Sequence, residues 1–413
     1  MNTAPRPLRF EDVPDITPRP AHVPVERVVD FDFYNFLKDG EDVHLAWLAL
    51  RDSSPEIFWT PRNGGHWVVT RAEDIEVVQG DYDRFSFEST LIPPVPRPLP
   101  AHPIDLDPPL HSKYRFLISP AFSPAAVASL ERKARGLAIS IIDGLAPKGE
   151  CEFMSDFAKN LPIVVFLGMM DLPWEDSDLL LPLADQIVRP SYPGAQHEAR
   201  HKIAHYLRSW LDKRQAEPGK DLISDLFRAK VDGEPLPYDT VLGMCVLLMS
   251  GGLDTVATML GYAAQCLATN PKQRQLLIED PELIPNAIEE MLRRYPISQT
   301  GRIITRDMDY KGLQFKQGEC IQQIGTLVGL DDRKFGDPLK VDFRRLDADQ
   351  HATFGQLPHK CIGAPLARRE LRVFIEEWLK RIPDFTIKPS THPRHTCGTV
   401  NGCAELHLSW DVR

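Results

Sequence analysis

Apolar positions in this chain recur mostly at helical spacing, and alternate only in short stretches near the two ends. Ala367, Leu371, Phe374, Ile375, Trp378, Leu379 and Ile382 mark one face of a helix that Pro383 stops. A longer pattern predicts a helix from about Asp239 to Ala268. Between Ser123 and Leu292 the chain reads as helix after helix, broken near Pro147-Gly149, Pro190-Gly194, Pro218-Gly219 and Gly233-Pro237. A helical pattern over Glu41 to Leu50 precedes two β-like runs, Ile57 to Thr60 and His66 to Thr70, with Asn63-Gly64-Gly65 between them suited to a hairpin turn. Thr70 with Glu73 predicts a capping box for a helix ending near Gly80. Strand-like pieces return around Ile303 to Ile324 and Thr399 to Trp410.

Two stretches interrupt this regularity. From Pro93 to Pro109 eight prolines fall in seventeen residues, which forbids helix or central strand and predicts a stiff loop that acts as a lid. Within the long helix stands Gly251-Gly252-Leu253-Asp254-Thr255. A helix-interior glycine costs about 1 kcal/mol against alanine, so the pair predicts close approach of something flat or bulky. Asp254 and Thr255 supply a carboxylate and a hydroxyl able to pass protons. Residues 1–30 are punctuated by proline and read as an arm, leaving 31–413 as one domain.

Composition narrows the function. The formal charge of -10 argues against a nucleic-acid partner. The seven cysteines are odd in number and widely spaced, with no Cys-x-x-Cys pair, which is neither a disulfide framework nor a zinc site. No apolar core of a signal peptide occurs in Met1 to Thr17, and the run Val241 to Leu253 is short for a bilayer. These features predict a cytoplasmic protein with no membrane partner. No Gly-x-Gly-x-x-Gly follows a strand, so nicotinamide and flavin chemistry is expected on other proteins.

The candidate chemistry centres on Thr353-Phe354-Gly355-Gln356-Leu357-Pro358-His359-Lys360-Cys361-Ile362-Gly363. This irregular loop puts Cys361 just ahead of a helix, whose amides and dipole are expected to lower the thiol pKa. A lone cysteine is more often a buried small hydrophobe. Here Phe354, Gly355, His359, Cys361 and Gly363 together resemble the haem-binding loop of the cytochrome P450 superfamily. Leu357 stands where that family usually has a second glycine, so the tight turn is expected to be built differently.

The resemblance extends to Gly251, Gly252, Asp254 and Thr255, and to Glu290-Met291-Leu292-Arg293, which resembles the family's Glu-x-x-Arg with Arg345 as the usual third partner. Asp107-Pro108-Pro109-Leu110-His111-Ser112-Lys113-Tyr114-Arg115 is similar to the bacterial Asp-Pro-Pro-x-His-x-x-x-Arg. The bacterial camphor-hydroxylase branch is the nearest in such marks, among them His22-Val23-Pro24 and Asn63-Gly64-Gly65-His66-Trp67.

The resemblance implies a mainly α (α+β) fold, a helical haem domain with small sheets, and haem b as cofactor. Cys361 would be the iron ligand. Gly251, Phe354 and Gly363 would lie against the haem, and His111, Arg115, Arg302 and His359 would face its propionates. Thr255 would protect the activated oxygen while Asp254 feeds protons. Glu290, Arg293 and Arg345 would be structural. Leu99, Ser250, Ser298, Thr300, Thr399 and Val400 would line the pocket. No tyrosine occurs around Pro98-Leu99-Pro100-Ala101 to match the lid tyrosine of camphor hydroxylase, so camphor is expected to bind poorly unless His102 supplies a donor.

The implied reaction hydroxylates a small hydrophobic molecule, terpenoid or norisoprenoid in type. It uses O2 and electrons from a two-iron two-sulfur ferredoxin, itself served by a flavin-dependent ferredoxin reductase. Lys360, Lys113 and Arg71 are expected to form the basic docking patch. A peroxide-driven peroxygenase, a haem-binding sensor without turnover and a haem-free helical scaffold are the alternatives.

Overall fold

The computed structural model describes residues 16–94, 97, 99–188 and 194–412. Expectations that fall on Met1 to Asp15, Val95, Pro96, Pro98 and the break at 190–193 lie outside them. Twelve α-helices are present among the described residues: α1 Val43–Ser53, α2 Ala72–Gly80, α3 Leu110–Ile118, α4 Pro124–Leu145, α5 Asn160–Met170, α6 Ser177–Val188, α7 Ala195–Ala216, α8 Leu222–Arg228, α9 Tyr238–Thr269, α10 Pro271–Glu279, α11 Ile284–Arg294 and α12 Ala364–Arg381. A five-stranded sheet has the order 57–60, 66–69, 320–323, 300–304, 85–86. Its parallel pair, Ile321 opposite Trp67 and Gln323 opposite Val69, ties the first fifth of the chain to the last third.

Local chemistry explains most boundaries. Asp42 caps α1 by accepting from the N–H groups of His44 and Leu45. The hairpin forms with Asn63, Gly64 and Gly65 all at positive φ. The capping box at Thr70 does not form, because the Thr70 hydroxyl bonds the Glu56 carbonyl at 3.0 Å. The cap is instead a long-range one, the Asp331 carboxylate accepting from the Ala72 N–H at 2.8 Å. The break at Pro147-Gly149 leads into a short strand, Glu150–Glu152, which pairs with His407–Ser409. Three residues give too little alternation to recognise in a helical region. Pairs of residues also form a hairpin at Lys230–Val231 and Glu234–Pro235, within the predicted break there.

The arm from Ile16 onward is packed rather than free. Val23 is fully buried and Val28 bridges Trp59.

Helix α9 is the axis of the molecule. By length and apolar composition it would cross a membrane, yet most of its apolar residues are buried within the protein. Two apolar clusters share it. Val241, Leu242, Met244, Cys245, Val246, Met249 and Leu253 belong to a cluster with α5, α6, α7 and α8. Val256, Met259, Leu260, Tyr262, Ala263 and Leu267 belong to a larger one with α4, α11, α12 and the five-stranded sheet. The seam between them falls at Asp254-Thr255. Gly243 lets the proline-rich loop lie on the helix, since a Cβ there would sit 1.9 Å from the Pro100 carbonyl oxygen.

Helix α12 packs on α4, with Arg135 paired to Glu376 and Glu377 at 2.8 and 2.6 Å. Trp378 meets Phe153, Phe385 and Trp410 edge-on at 5.2 to 5.8 Å, contacts each worth about 0.5–1.5 kcal/mol beyond area burial. The loop before α12 closes on itself through the Cys361 N–H, which donates to the Phe354 carbonyl at 2.7 Å. Gly355 takes φ 67°, and Leu357 itself takes φ 51°. The turn thus carries a non-glycine residue at positive φ. A leucine adopts the left-handed backbone, at a cost of about 1–2 kcal/mol.

Two stability predictions follow from α12 and its loop. Leu357→Gly relieves the backbone penalty and gives back part of the gain as unfolded-chain entropy, so unfolding free energy should rise by roughly 0.5–1 kcal/mol. A urea midpoint equal to or below that of the parent would refute it.

Glu370 on α12 is buried with Oε1 unpartnered, and burial pushes its carboxyl from the ordinary 4.5 up to about 8. The folded chain thus keeps a proton that the unfolded chain releases, so stability is lost as pH rises from about 4.5 towards about 8. Glu370→Gln should remove that loss, and melting curves at pH 5 and pH 8 should converge for the variant relative to the parent.

Candidate active site

Each side of the seam presents an open surface. A Cβ added at Gly251 or Gly252 would meet nothing within 4 Å, although both lie midway along a buried helix. The expected close approach therefore does not come from other parts of the protein, and the space remains for a flat partner. Thr255 donates its hydroxyl proton to the Gly251 carbonyl at 2.8 Å, and Asp254 is buried beside it.

Cys361 is exposed, while the other six cysteines are buried or half-buried, and all seven are free. Its neighbours Phe354 and Ile362 pack against the two different apolar clusters, so the cysteine loop also spans the seam. Burial is nonetheless the largest influence on the thiol and pushes its pKa up, which places its accessible face on an interior gap. The N–H groups of Gly363 and Ala364, with Arg115 and Arg368, pull the other way. The expected lowering by the helix N-terminus is thus outweighed by desolvation in the free thiol.

Donors with no anion gather at this gap. His359 stacks on Phe87 with ring centroids 3.4 Å apart, and His111 lies 3.9 Å from His359. Arg302 covers the other face of the group, its Cζ 3.5 Å from the Phe87 centroid. Among buried atoms, His111 Nδ1, His359 Nε2 and Arg302 Nε have no hydrogen-bond partner. Burial, and then neighbouring positive charge, holds His111 down at about 4 and His359 at about 2, and burial brings Arg302 down to about 9. Asp107 opposes the shift in Arg302, but its oxygens already accept from Ser86 and the Phe87 N–H. Arg115 donates to the Lys360 carbonyl. Such a set is costly without an anion and suits a ligand with two carboxylates. The open glycine face, the thiol and the donors together fit haem b.

A cavity of about 310 Å³ lies along α9, where Gly243, Val246, Leu247 and Ser250 line one wall and Leu99, Pro100 and Ala101 another. Leu99 and Ser250 are thus brought together. Ser298 and Val400 are joined by a β-bridge, and Thr399 sits against the Tyr34 hydroxyl. Thr300 is already engaged, its oxygen accepting from Arg302 at 2.9 Å and Gln323 at 2.8 Å, so it braces Arg302. His102 is held by Asp105 at 2.7 Å.

Below the site, Glu290 and Arg293 form a fully buried pair at 2.6 and 2.9 Å, and Arg345 reaches the same carboxylate at 3.1 Å. Arg293 also donates to the carbonyls of Gly329 and Pro338.

The expected basic patch is largely neutralised: Lys113 pairs with Asp232 at 2.7 Å, and Arg71 with Asp331 and Asp332 at 3.2 and 2.9 Å. Only Lys360 of the three is exposed with no carboxylate in ion-pair contact among the described residues. Sequence reading missed Phe87, whose ring centres the donor stack, and Arg97 and Arg200, which line the cavity. No local pattern marks Phe87 or Arg97. Arg200, Ala204 and Arg208 recur at i, i+4 and i+8, a signal that was legible.

Comparison with known proteins agrees with this geometry. The Cytochrome P450 family profile matches residues 167–397. A probable cytochrome P450 127A1 of Sinorhizobium fredii is 34% identical over 95% of this chain and 97% of its own length. The mycinamicin IV hydroxylase/epoxidase of Micromonospora griseorubida is 30% identical over 89% of this chain and 97% of its own. Crystal structures of CYP101J2 and CYP101C1, each 36% identical, superpose with TM-scores of 0.87 and 0.85, covering 96% and 95% of this chain and 100% of each of theirs. The chain belongs to the cytochrome P450 family, and is a mainly α haem b monooxygenase of that fold.

Proposed function

We propose that this enzyme hydroxylates a small, mostly hydrocarbon molecule of terpenoid or norisoprenoid type, using O2 and electrons from a two-iron two-sulfur ferredoxin with its flavin-dependent reductase. The observation that supports it most is the seam itself. An accessible thiol in a loop that packs on both apolar clusters, an open glycine face with an adjacent Asp-Thr pair, and unpartnered His111, His359 and Arg302 nitrogens support it together.

On this reading Cys361 would hold the iron as thiolate, and the Gly363 and Ala364 N–H groups with Arg115 and Arg368 would stabilise its charge. Phe354, Gly363 and Gly251 would lie against the haem, and His111, Arg115, Arg302 and His359 would hold its propionates. When bound, thiolate-ligated haem activates O2 so that one atom enters a C–H bond and the other leaves as water. Thr255 holds a hydroxyl proton at the open face of α9, and Asp254 replenishes it from behind. Leu99, Ser250, Ser298, Thr300, Thr399 and Val400 shape the substrate end, with Thr300 acting through Arg302. Glu290, Arg293 and Arg345 fix the backbone that carries the cysteine loop. We read residues 31–413 as one haem domain and residues 1–30 as an N-terminal arm, whose described part from Ile16 packs on that domain.

The ferredoxin docks near Lys360, where Phe116 is also highly exposed. Seven free cysteines suit a reducing compartment, and the cytoplasm is our reading.

Cys361→Ser and Cys361→His should abolish monooxygenation, and the reduced carbon monoxide complex of the parent should show a thiolate-type band. An imidazole-type band would reject the assignment. Thr255→Ala should leave NADH and O2 consumption in place, with the reductase and ferredoxin supplied, while most organic product is replaced by peroxide. Unchanged coupling would remove Thr255 from proton delivery. Turnover driven equally well by peroxide alone would favour a peroxygenase.

A further inference from the structure

The cavity beside α9 is apolar on the helix side and cationic on the other. Arg97 and Arg200 both line it. Arg97 donates one guanidinium nitrogen to the Thr90 hydroxyl at 2.8 Å, while its buried Nη1 has no partner. Among the described residues no carboxylate lies within ion-pair distance of either arginine. Asp105 is the acid whose field reaches Arg97, but its oxygens already accept from the Ala101 N–H and His102, each at 2.7 Å. Arg200 feels Arg97 as a like charge, and burial together with that repulsion brings it down to about 10.

Two guanidinium groups facing one small cavity without a counter-charge are unfavourable, since each loses hydration and repels the other. A neutral carbonyl could accept from both groups but brings no charge, so the repulsion would stay in place. A carboxylate offers two acceptor oxygens and the missing charge.

We propose that the substrate carries a carboxylate, bound by Arg97 and Arg200, with its hydrocarbon body against Leu99, Val246 and Leu247. The proposal rests on the monooxygenase reading above and specifies the oxygen function of its substrate. Ser250 lines the cavity one residue before Gly251, so the cavity adjoins the open glycine face, and the proposal has the hydrocarbon end lying towards it. Hydroxylation should therefore fall on the hydrocarbon end.

The test uses the ferric holoenzyme and matched pairs: perillate with perillyl alcohol, geranate with geraniol, and 4-isopropylbenzoate with 4-isopropylbenzyl alcohol. Dissociation constants come from the spin-state absorption shift and from calorimetry. At least one acid should bind about 10-fold or more tightly than its alcohol, the size expected of a hydrogen bond to a charged group. Arg97→Gln and Arg200→Gln should each erase the preference, and Arg200→Lys should keep part of it.

The glutamine variants remove an unpaired cation, so their melting temperatures should equal or exceed the parent's; melting well below it would overturn the view that these cations lack a counter-charge. Acids binding no more tightly than their alcohols, or a preference that survives in both glutamine variants, would overturn the proposal. Loss of the thiolate-type carbon monoxide band in the parent would instead strike the monooxygenase reading, so the two failures are separable.

Discussion

One helix shared by two hydrophobic cores is the constraint on which this molecule depends. Helix α9 contributes its N-terminal half to one cluster and its C-terminal half to the other, and neither cluster covers the stretch between. Filling that seam with side chains would have merged the cores. Glycines at 251 and 252 keep it open, and the cysteine loop, from the far end of the chain, packs on both clusters. The site is thus the place where close packing of the interior is interrupted, and the groups around it carry the cost as unpartnered donors.

The best-satisfied buried groups lie elsewhere in the molecule. Glu290 and Arg293 are equally buried yet satisfy one another, with Arg345 and several carbonyls completing the set. Trp47, Gln299, Thr326 and Asn401 are linked by hydrogen bonds through their donors, although Gln299 Oε1 stays without a partner. His111, His359 and Arg302 differ in that their unpartnered nitrogens lie together, around the Phe87 ring and beside the cysteine loop. Chemistry absent from the polypeptide accounts for them better than any rearrangement of their neighbours.

Much of this was legible in residue order. The long helix, the glycine pair within it and the helix after Cys361 follow from periodicity, and the hairpin follows from Asn63-Gly64-Gly65. What escaped was set by distance along the chain. The cap of α2 comes from Asp331, the strand at Glu150–Glu152 exists only because His407–Ser409 lies beside it, and Phe87 matters only once His359 stacks on it. The charge patch around Lys113 and Arg71 dissolved for the same reason, since Asp232, Asp331 and Asp332 are partners no local window contains. Leu357 was the opposite case. Its identity gave no hint of the left-handed backbone it adopts, which the Cys361 N–H to Phe354 carbonyl bond closes around.

Gly243 has a consequence for how this pocket diversifies. With the Pro100 carbonyl resting where a side chain would begin, the roof of the cavity is seated on backbone against backbone. Its height is therefore independent of the residues that line the walls. Exchanges at Ala204, Val246 or Leu247 resize the chamber without lifting the roof, so selection can retune which molecules fit by single steps while the architecture above the helix stays put.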